Sequence, residues 1–256
     1  MKIGFIGVGQ MASAIITGIK QMNHEIIISG SSPQRSKAIA KELNVQAASS
    51  HQSLVEQVDL VVLGIKPQLF EPVLNELDIK KPILSMAAGI TLNRLAELTD
   101  SSLPLIRIMP NMNARILQST TGISYNQLVN EDLKASIREI VDSFGTSYEL
   151  AEKDFDTFTA LAGSSPAYIY LFIEAMAKAG VKNGLSKAQS LEITTQTVIA
   201  SAKNLVESED SPHALIDKIC SPGGTTIAGL MDLEKNGLTH TVVSAIDTTI
   251  GKAKNM

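Results

Sequence analysis

Gly7-Val8-Gly9-Gln10-Met11-Ala12 follows the apolar run from Ile3 to Ile6 directly and opens a helix-length segment, a placement that constrains the fold more than any other feature of the chain. A G-x-G-x-x-A turn between a strand and a helix is the dinucleotide-binding fingerprint of doubly wound α/β sheets. Gly7 permits the tight turn, Gly9 lets a pyrophosphate approach the backbone, and Ala12 allows the helix to pack closely on the sheet. Val8, Gln10 and Met11 complete a loop whose N–H groups and helix dipole favour an anion. The surrounding pattern agrees. Compact apolar runs at 2–6, 25–29, 59–63, 83–86, 105–109, 122–125 and 146–149 alternate with helical patterns that include 10–21, 33–43, 92–98 and 131–144. Such alternation predicts a mainly parallel sheet covered on both faces, with the last two strands departing from the regular order.

Beyond about residue 150 the pattern becomes helical throughout, with segments at 153–179, 187–207, 212–219, 225–235 and 238–254 and no convincing strand. The predicted organisation is therefore a Rossmann-like domain over 1–152 followed by an all-helical domain over 153–256. Ser186 and Ser211 are candidate N-caps, and Pro166 is expected to kink or restart the first long helix. That helix is apolar over much of its circumference, through Leu161, Tyr168, Ile169, Leu171, Phe172, Ile173 and Met176. It needs a second layer, supplied either by another subunit or by the centre of a monomeric bundle.

Composition narrows the function. A net charge of -4 over 256 residues, with four Tyr, six Phe and no Trp, is a poor match for nucleic acid. The lone Cys220 excludes an internal disulfide framework and fits a reducing, cytoplasmic compartment. The four histidines show no metal-ligand spacing, so no metal is expected. The start could pass for a secretory leader, but glycines 4, 7 and 9 and Gln10 interrupt its apolar run, and no run approaches the ~18 residues of a membrane span. No membrane partner is expected.

NAD sites tend to carry an acid at the tip of the second strand, whereas a 2′-phosphate prefers hydroxyls and a cation. Here that tip reads Gly30-Ser31-Ser32-Pro33-Gln34-Arg35, without an acid. Ser31, Ser32 and Arg35 are suited to a phosphate, which favours NADPH over NADH without excluding NADH. The alternative is that Ser-Ser-Pro only caps the next helix, and the two roles are compatible. Later strand ends contribute Ile65, Lys66 and Pro67, then Ala87, Ala88 and Gly89, then Asn111, all expected along one crevice outside the carboxyl ends of the strands. Asn111 could meet a carboxamide such as nicotinamide's, or serve only as a turn residue.

Cys220-Ser221-Pro222-Gly223-Gly224-Thr225-Thr226 is the second unusual segment, because it lies among helices and immediately precedes one. A Gly-Gly-Thr-Thr helix start offers free N–H groups and two hydroxyls, either as a cradle for a carboxylate or phosphate or as an ordinary turn.

These motifs together resemble the pyrroline-5-carboxylate reductase family over essentially the whole chain. The resemblance runs through 3–11, Lys66-Pro67, Ala88-Gly89-Ile90, Met109-Pro110-Asn111, Ser164 to Tyr168, and above all Ser221 to Leu230. It departs at Ser165 and at Met112-Asn113, and His51 stands where the family has an Asn at the adenosine end. The resemblance implies reduction of 1-pyrroline-5-carboxylate to L-proline by NAD(P)H, the last step of proline biosynthesis. It also implies an all-α dimerisation domain whose substrate pocket borrows residues from the neighbouring chain, and homodimers that often assemble as decamers of five dimers. Ser221, Gly223, Gly224, Thr225 and Thr226 are then the substrate-binding candidates. Thr226 is the catalytic one, by a hydrogen bond to the ring nitrogen. Two other readings stay open: a related imine or β-hydroxyacid reductase, which would usually bring a catalytic Lys or Asp in the long helix, and a non-enzymatic NADP-binding or vitamin B6-handling protein.

Overall fold

The computed structural model describes residues 1–254 and forms two compact units, one of residues 1–163 with residues 252–254, the other of residues 164–251. In the first unit the chain runs β1 (Lys2–Ile6), α1 (Gln10–Ile19), β2 (Glu25–Ser29), α2 (Pro33–Leu43), β3 (Gln46–Ala47), α3 (His51–Gln57) and β4 (Leu60–Leu63). It continues through α4 (Phe70–Leu74), β5 (Ile83–Ser85), α5 (Leu92–Leu98), β6 (Leu105–Met109), β7 (Ser119–Tyr125), α6 (Glu131–Asp142), β8 (Gly145–Glu149) and α7 (Phe155–Phe158).

The eight strands form one sheet in the order β3-β2-β1-β4-β5-β6-β7-β8, parallel at every pairing except β6 with β7. β1 and β4 are neighbours, so the chain reverses its direction of winding there and leaves a crevice at the carboxyl end of β1. Alternation along the strands sorts the core into two layers. Ile3, Phe5, Leu60 and Val62 pack with Ile15, Ile16 and Ile19 of α1 and with Ile137, Ile140 and Val141 of α6. Ile6, Val61 and Leu63 pack on the other face with Leu54 of α3, Phe70 and Leu74 of α4, and Leu92 and Leu95 of α5. With both faces covered, the central strands need apolar residues at every position.

Around β7 and beyond α7 the chain departs in detail from the expected bounds. β7 begins at Ser119 rather than near residue 122, and it runs antiparallel to β6 because residues 110–118 are too few for a crossover. They form instead a 3-10 helix, Met112–Ile116, closed by Leu117 in a left-handed conformation at φ 57°. The predicted helix over 153–179 is built in pieces: α7, a π turn over Thr159–Ser164, and a restart at Ser165 with Pro166 in the first turn. Pro166 has no N–H to give, so a helix start is where it fits.

The second unit begins with α8 (Ser165–Lys182) and contains α9 (Lys187–Glu207), α10 (Pro212–Ile219), α11 (Thr225–Lys235) and most of α12 (Leu238–Ala253). Ser186 and Ser211 cap α9 and α10 as expected, accepting from the N–H groups of Gln189 and Ala214. Gly180 lets α9 approach α8 closely, since a Cβ there would lie 2.5 Å from Ser190 Oγ. Yet Ala177 is the one buried apolar residue of α8, while Ile169, Tyr170, Leu171, Phe172 and Met176 are exposed, Leu171 to 69%. No helix among the described residues is long and apolar enough to cross a membrane.

Candidate active site

Four of the longer helices open on a side-chain cap, Ser32 at α2, Asn130 at α6, Ser186 at α9 and Ser211 at α10, while α8 opens without one on Ser164 with Pro166 in its first turn. α1 and α11 open instead on a glycine, Gly9 and Gly224, with no capping side chain. Their first-turn N–H groups are left for something else to satisfy. These are the two segments the sequence singles out.

At the first, Gly7 takes φ +82°, and a Cβ there would lie 2.4 Å from Ile65 Cγ2 and 3.1 Å from the Gly64 backbone. Its N–H donates to the Ser29 carbonyl at 2.8 Å, which ties the turn to the end of β2. At Gly9 a Cβ would meet nothing within 4 Å. The absent side chain at Gly7 is therefore demanded by the protein's own packing, whereas at Gly9 it leaves open space over the start of α1. A dinucleotide pyrophosphate fits that space, with Val8 buried behind it and Gln10 exposed at its edge.

At the tip of β2 the structure realises the cap: Ser32 Oγ accepts from the Arg35 N–H at 3.2 Å. Ser36, one position on, bonds the Gly30 N–H at 2.8 Å and so fixes the tip. Ser31 and the Arg35 side chain are exposed, and Arg35 forms no ion pair among the described residues. Beside them lies a cavity of about 390 Å³ lined by Gly30, Ser31, Ser32, His51, Gln52 and Glu76 among others. His51 Nδ1 is 2.7 Å from Ser29 Oγ. Burial pushes the His51 pKa down, against a smaller upward pull from Glu76, so at neutral pH the ring is uncharged and offers a hydrogen bond rather than a cation.

Lys66 is exposed at the start of a 3-10 turn over Pro67–Leu69, with Ile65 half-buried before it. Ala87 is buried, Ala88 exposed, and Gly89 stands at φ +78°. Asn111 is only 5% exposed and is spent within the chain. Its Nδ2 donates to the Ala162 carbonyl at 3.0 Å, and its Oδ1 accepts from the Asn113 N–H at 3.0 Å. The structure thus gives Asn111 the turn-residue role, anchoring the π turn to the end of β6. Sequence reasoning missed Glu152. Its Oε1 accepts from the Leu92 N–H at 2.7 Å and from Arg107 at 2.9 Å, with the guanidinium 4.6 Å from the Phe155 ring centroid. That cluster holds the loop that begins at Ala87.

At the second segment, Gly223 takes φ +69°, and the Gly224 N–H donates to the Ser221 carbonyl at 3.0 Å. Gly224 consequently contributes no free N–H, contrary to the expectation that it shares in an N–H cradle. The available donors are the N–H groups of Thr225 and Thr226, whose hydroxyls are exposed and make no hydrogen bond among the described residues. A Cβ on Gly224 would lie 2.4 Å from Ser221 Oγ, so the glycine lets that hydroxyl fold over the helix start. Donors without acceptors, at the positive end of a helix, suit a small carboxylate.

The glycine turn at the switch point of a doubly wound sheet defines the class, a pyridine-nucleotide oxidoreductase. A family model described as pyrroline-5-carboxylate reductase dimerisation matches residues 152–256, and one described as NADP oxidoreductase coenzyme F420-dependent matches residues 2–89. The pyrroline-5-carboxylate reductase of Aquifex aeolicus is 37% identical over 100% of this chain and 97% of its own length. That of Escherichia coli is 35% identical over 100% and 98%. A crystal structure of the Streptococcus pyogenes enzyme is 68% identical with a TM-score of 0.93, covering 100% of this chain and 99% of that one. A Plasmodium falciparum structure with NADP bound is 34% identical with a TM-score of 0.87, covering 100% and 97%. The chain belongs to the pyrroline-5-carboxylate reductase family.

Proposed function

We propose that this chain reduces 1-pyrroline-5-carboxylate to L-proline, the last step of proline biosynthesis, and that NADPH is its preferred reductant. The observation that carries the reading is the start of α11, where the Thr225 and Thr226 N–H groups stand without a capping side chain. They bind the substrate carboxylate, with the hydroxyls of Ser221 and Thr225 as further donors. Thr226 Oγ1 hydrogen-bonds the ring nitrogen and holds the imine in one orientation. When bound, NADPH supplies the two electrons, as hydride, that reduce the imine carbon. An imine that enters protonated needs no further proton to become the amine, which accounts for a site without a dedicated Lys or His acid. Proline formation coupled to nucleotide oxidation is the direct test.

The open space at Gly9 supports a dinucleotide there, and the nucleotide is oriented by Gly7 through Met11, Ile65 to Pro67 and Ala87 to Gly89. Ser31, Ser32 and Arg35 hold the 2′-phosphate. The Ser32 cap uses one lone pair and leaves the hydroxyl proton to donate. On this hypothesis Arg35→Ala raises the KM for NADPH about tenfold, the worth of one charge-assisted contact, and leaves that for NADH nearly unchanged. Equal losses with both nucleotides would remove Arg35 from the phosphate site.

We assign nucleotide binding to residues 1–152, and substrate binding and dimerisation to residues 153–256. The exposed apolar face of α8 supports a homodimer. The decamer of five such dimers and the cytoplasmic location follow from the family resemblance and the lone Cys220. Leu171→Glu would set a carboxylate in that interface at a penalty of several kcal/mol. Light scattering is expected to read monomer mass for the variant and dimer or decamer mass for the parent; an unchanged mass would exclude this face from the interface.

A further inference from the structure

Arg115 lies on the 3-10 helix that packs against α1, in a stretch with no periodic pattern to draw attention to it. Arg115 and Arg35 border one cavity of about 510 Å³ whose head is formed by Val8, Gly9 and Gln10, the glycine turn itself. Both side chains are exposed, and neither forms an ion pair among the described residues. Glu42 is the one carboxylate on the lining, at the last turn of α2, whereas Arg35 is in the first. The lining therefore carries two guanidiniums against one carboxylate. Since α1 and α2 both run back from the carboxyl edge of the sheet, Glu42 sits toward the far end with Thr17, and the positive charge gathers at the turn.

The base of Arg115 is fixed. Its neighbour Ala114 is fully buried, and Asn111, itself tied to Ala162, accepts from the Asn113 N–H at the start of the short helix. A guanidinium on a fixed base loses less freedom when it binds an anion than one on a mobile loop.

We propose that Arg115 supplies a charge to the diphosphate of the bound dinucleotide, beside the uncapped first turn of α1, while Arg35 serves the 2′-phosphate. The assignment rests on the reading that this chain binds NADPH at the glycine turn. It extends that reading with a residue whose contribution is blind to the 2′-phosphate. NADP⁺ and NAD⁺ share the diphosphate, and only NADP⁺ carries the 2′-phosphate, so the two arginines are separable by binding alone.

The test is calorimetric titration of the full chain with NADP⁺ and with NAD⁺, for the parent and for Arg115→Ala, Arg115→Lys and Arg35→Ala. Arg115→Ala is expected to weaken both nucleotides by the same factor, about 5- to 10-fold for one exposed charge-assisted contact. Arg115→Lys is expected to recover part of the loss, as a point charge without the bidentate fork. Arg115 is exposed, so circular dichroism of its variants should match the parent. Unchanged affinities in Arg115→Ala, or a loss confined to NADP⁺, would overturn the assignment. A parent that binds neither nucleotide would overturn it together with the functional reading. A loss shared by both nucleotides in Arg35→Ala would remove the 2′-phosphate role of Arg35 and leave that of Arg115 standing.

Discussion

Replacing Thr226 with alanine is expected to lower kcat about 100-fold, the lower end of the range for loss of one positioned donor or proton-relaying group, while the Kd for NADPH stays nearly unchanged. The hypothesis follows from the exposed Thr226 hydroxyl, which makes no hydrogen bond among the described residues and stands one residue into α11, beside the N–H groups assigned to the carboxylate. Thr226→Ser keeps an oxygen in place and should retain most of the activity. Thr226→Val keeps the shape without the hydroxyl and should behave like alanine. The pair matters because a packing role would give the opposite order, with valine close to the parent. Full turnover in both Thr226→Ala and Thr226→Val would take the hydroxyl out of the reaction.

The second large effect separates two glycines that lie two residues apart. A methyl group on Gly9 meets no protein atom within 4 Å, and the backbone there has an ordinary φ of -95°, so Gly9→Ala should fold with unchanged thermal stability. It should nevertheless lose NADPH affinity by about 1–3 kcal/mol, because the added carbon stands where the pyrophosphate must approach the backbone. Gly7→Ala meets the reverse situation. It combines φ +82° with a contact of 2.4 Å to Ile65 Cγ2 and 3.1 Å to the Gly64 backbone. Strain at that backbone and overpacking together should destabilise the fold by about 2–4 kcal/mol. Thermal denaturation and nucleotide titration on both variants check the contrast. Parent-like NADPH binding in Gly9→Ala would place the nucleotide elsewhere.

Much of the sheet was legible because strands buried on both faces favour apolar residues at successive positions, a condition that β4 meets throughout, β1 beyond its exposed first residue, β2 between Glu25 and Ser29, and β6 except at Arg107. β3 was not legible: it is two residues long, both exposed, and pairs with β2 alone. α3 was missed although Ser50 caps it, since seven residues give too little periodicity to stand out. The antiparallel turn of β7 had a signal in the short span after Met109, which leaves no room for a parallel crossover. The apolar stripe of α8 was plain in the sequence, because a helix that hides no polar side cannot face water all round.

The candidate site divides in the same way. Motifs whose chemistry is local, such as the Gly7 turn and the Gly223-Gly224-Thr225-Thr226 helix start, are visible from spacing because the residues that act together are neighbours. Glu152 and Arg115 are not visible, because what they do depends on groups brought together by folding. Glu152 meets Leu92 across 60 residues of chain. Arg115 borders a cavity with the turn at Gly9 although about a hundred residues of chain separate the two. Asn111 shows the converse, a residue whose type suits a ligand and whose side chain the fold uses internally.

The most direct measurement is the loss of reduced-nucleotide absorbance by the purified chain, with and without 1-pyrroline-5-carboxylate, in parallel runs with NADPH and NADH and with proline quantified at the end. The expected result is oxidation that depends on the imine, forms one proline for each nucleotide consumed, and is faster at low nucleotide concentration with NADPH. NADPH binding without imine-dependent oxidation would contradict the proposed reaction. Faster turnover with NADH would contradict the proposed role of the Ser31, Ser32 and Arg35 cluster.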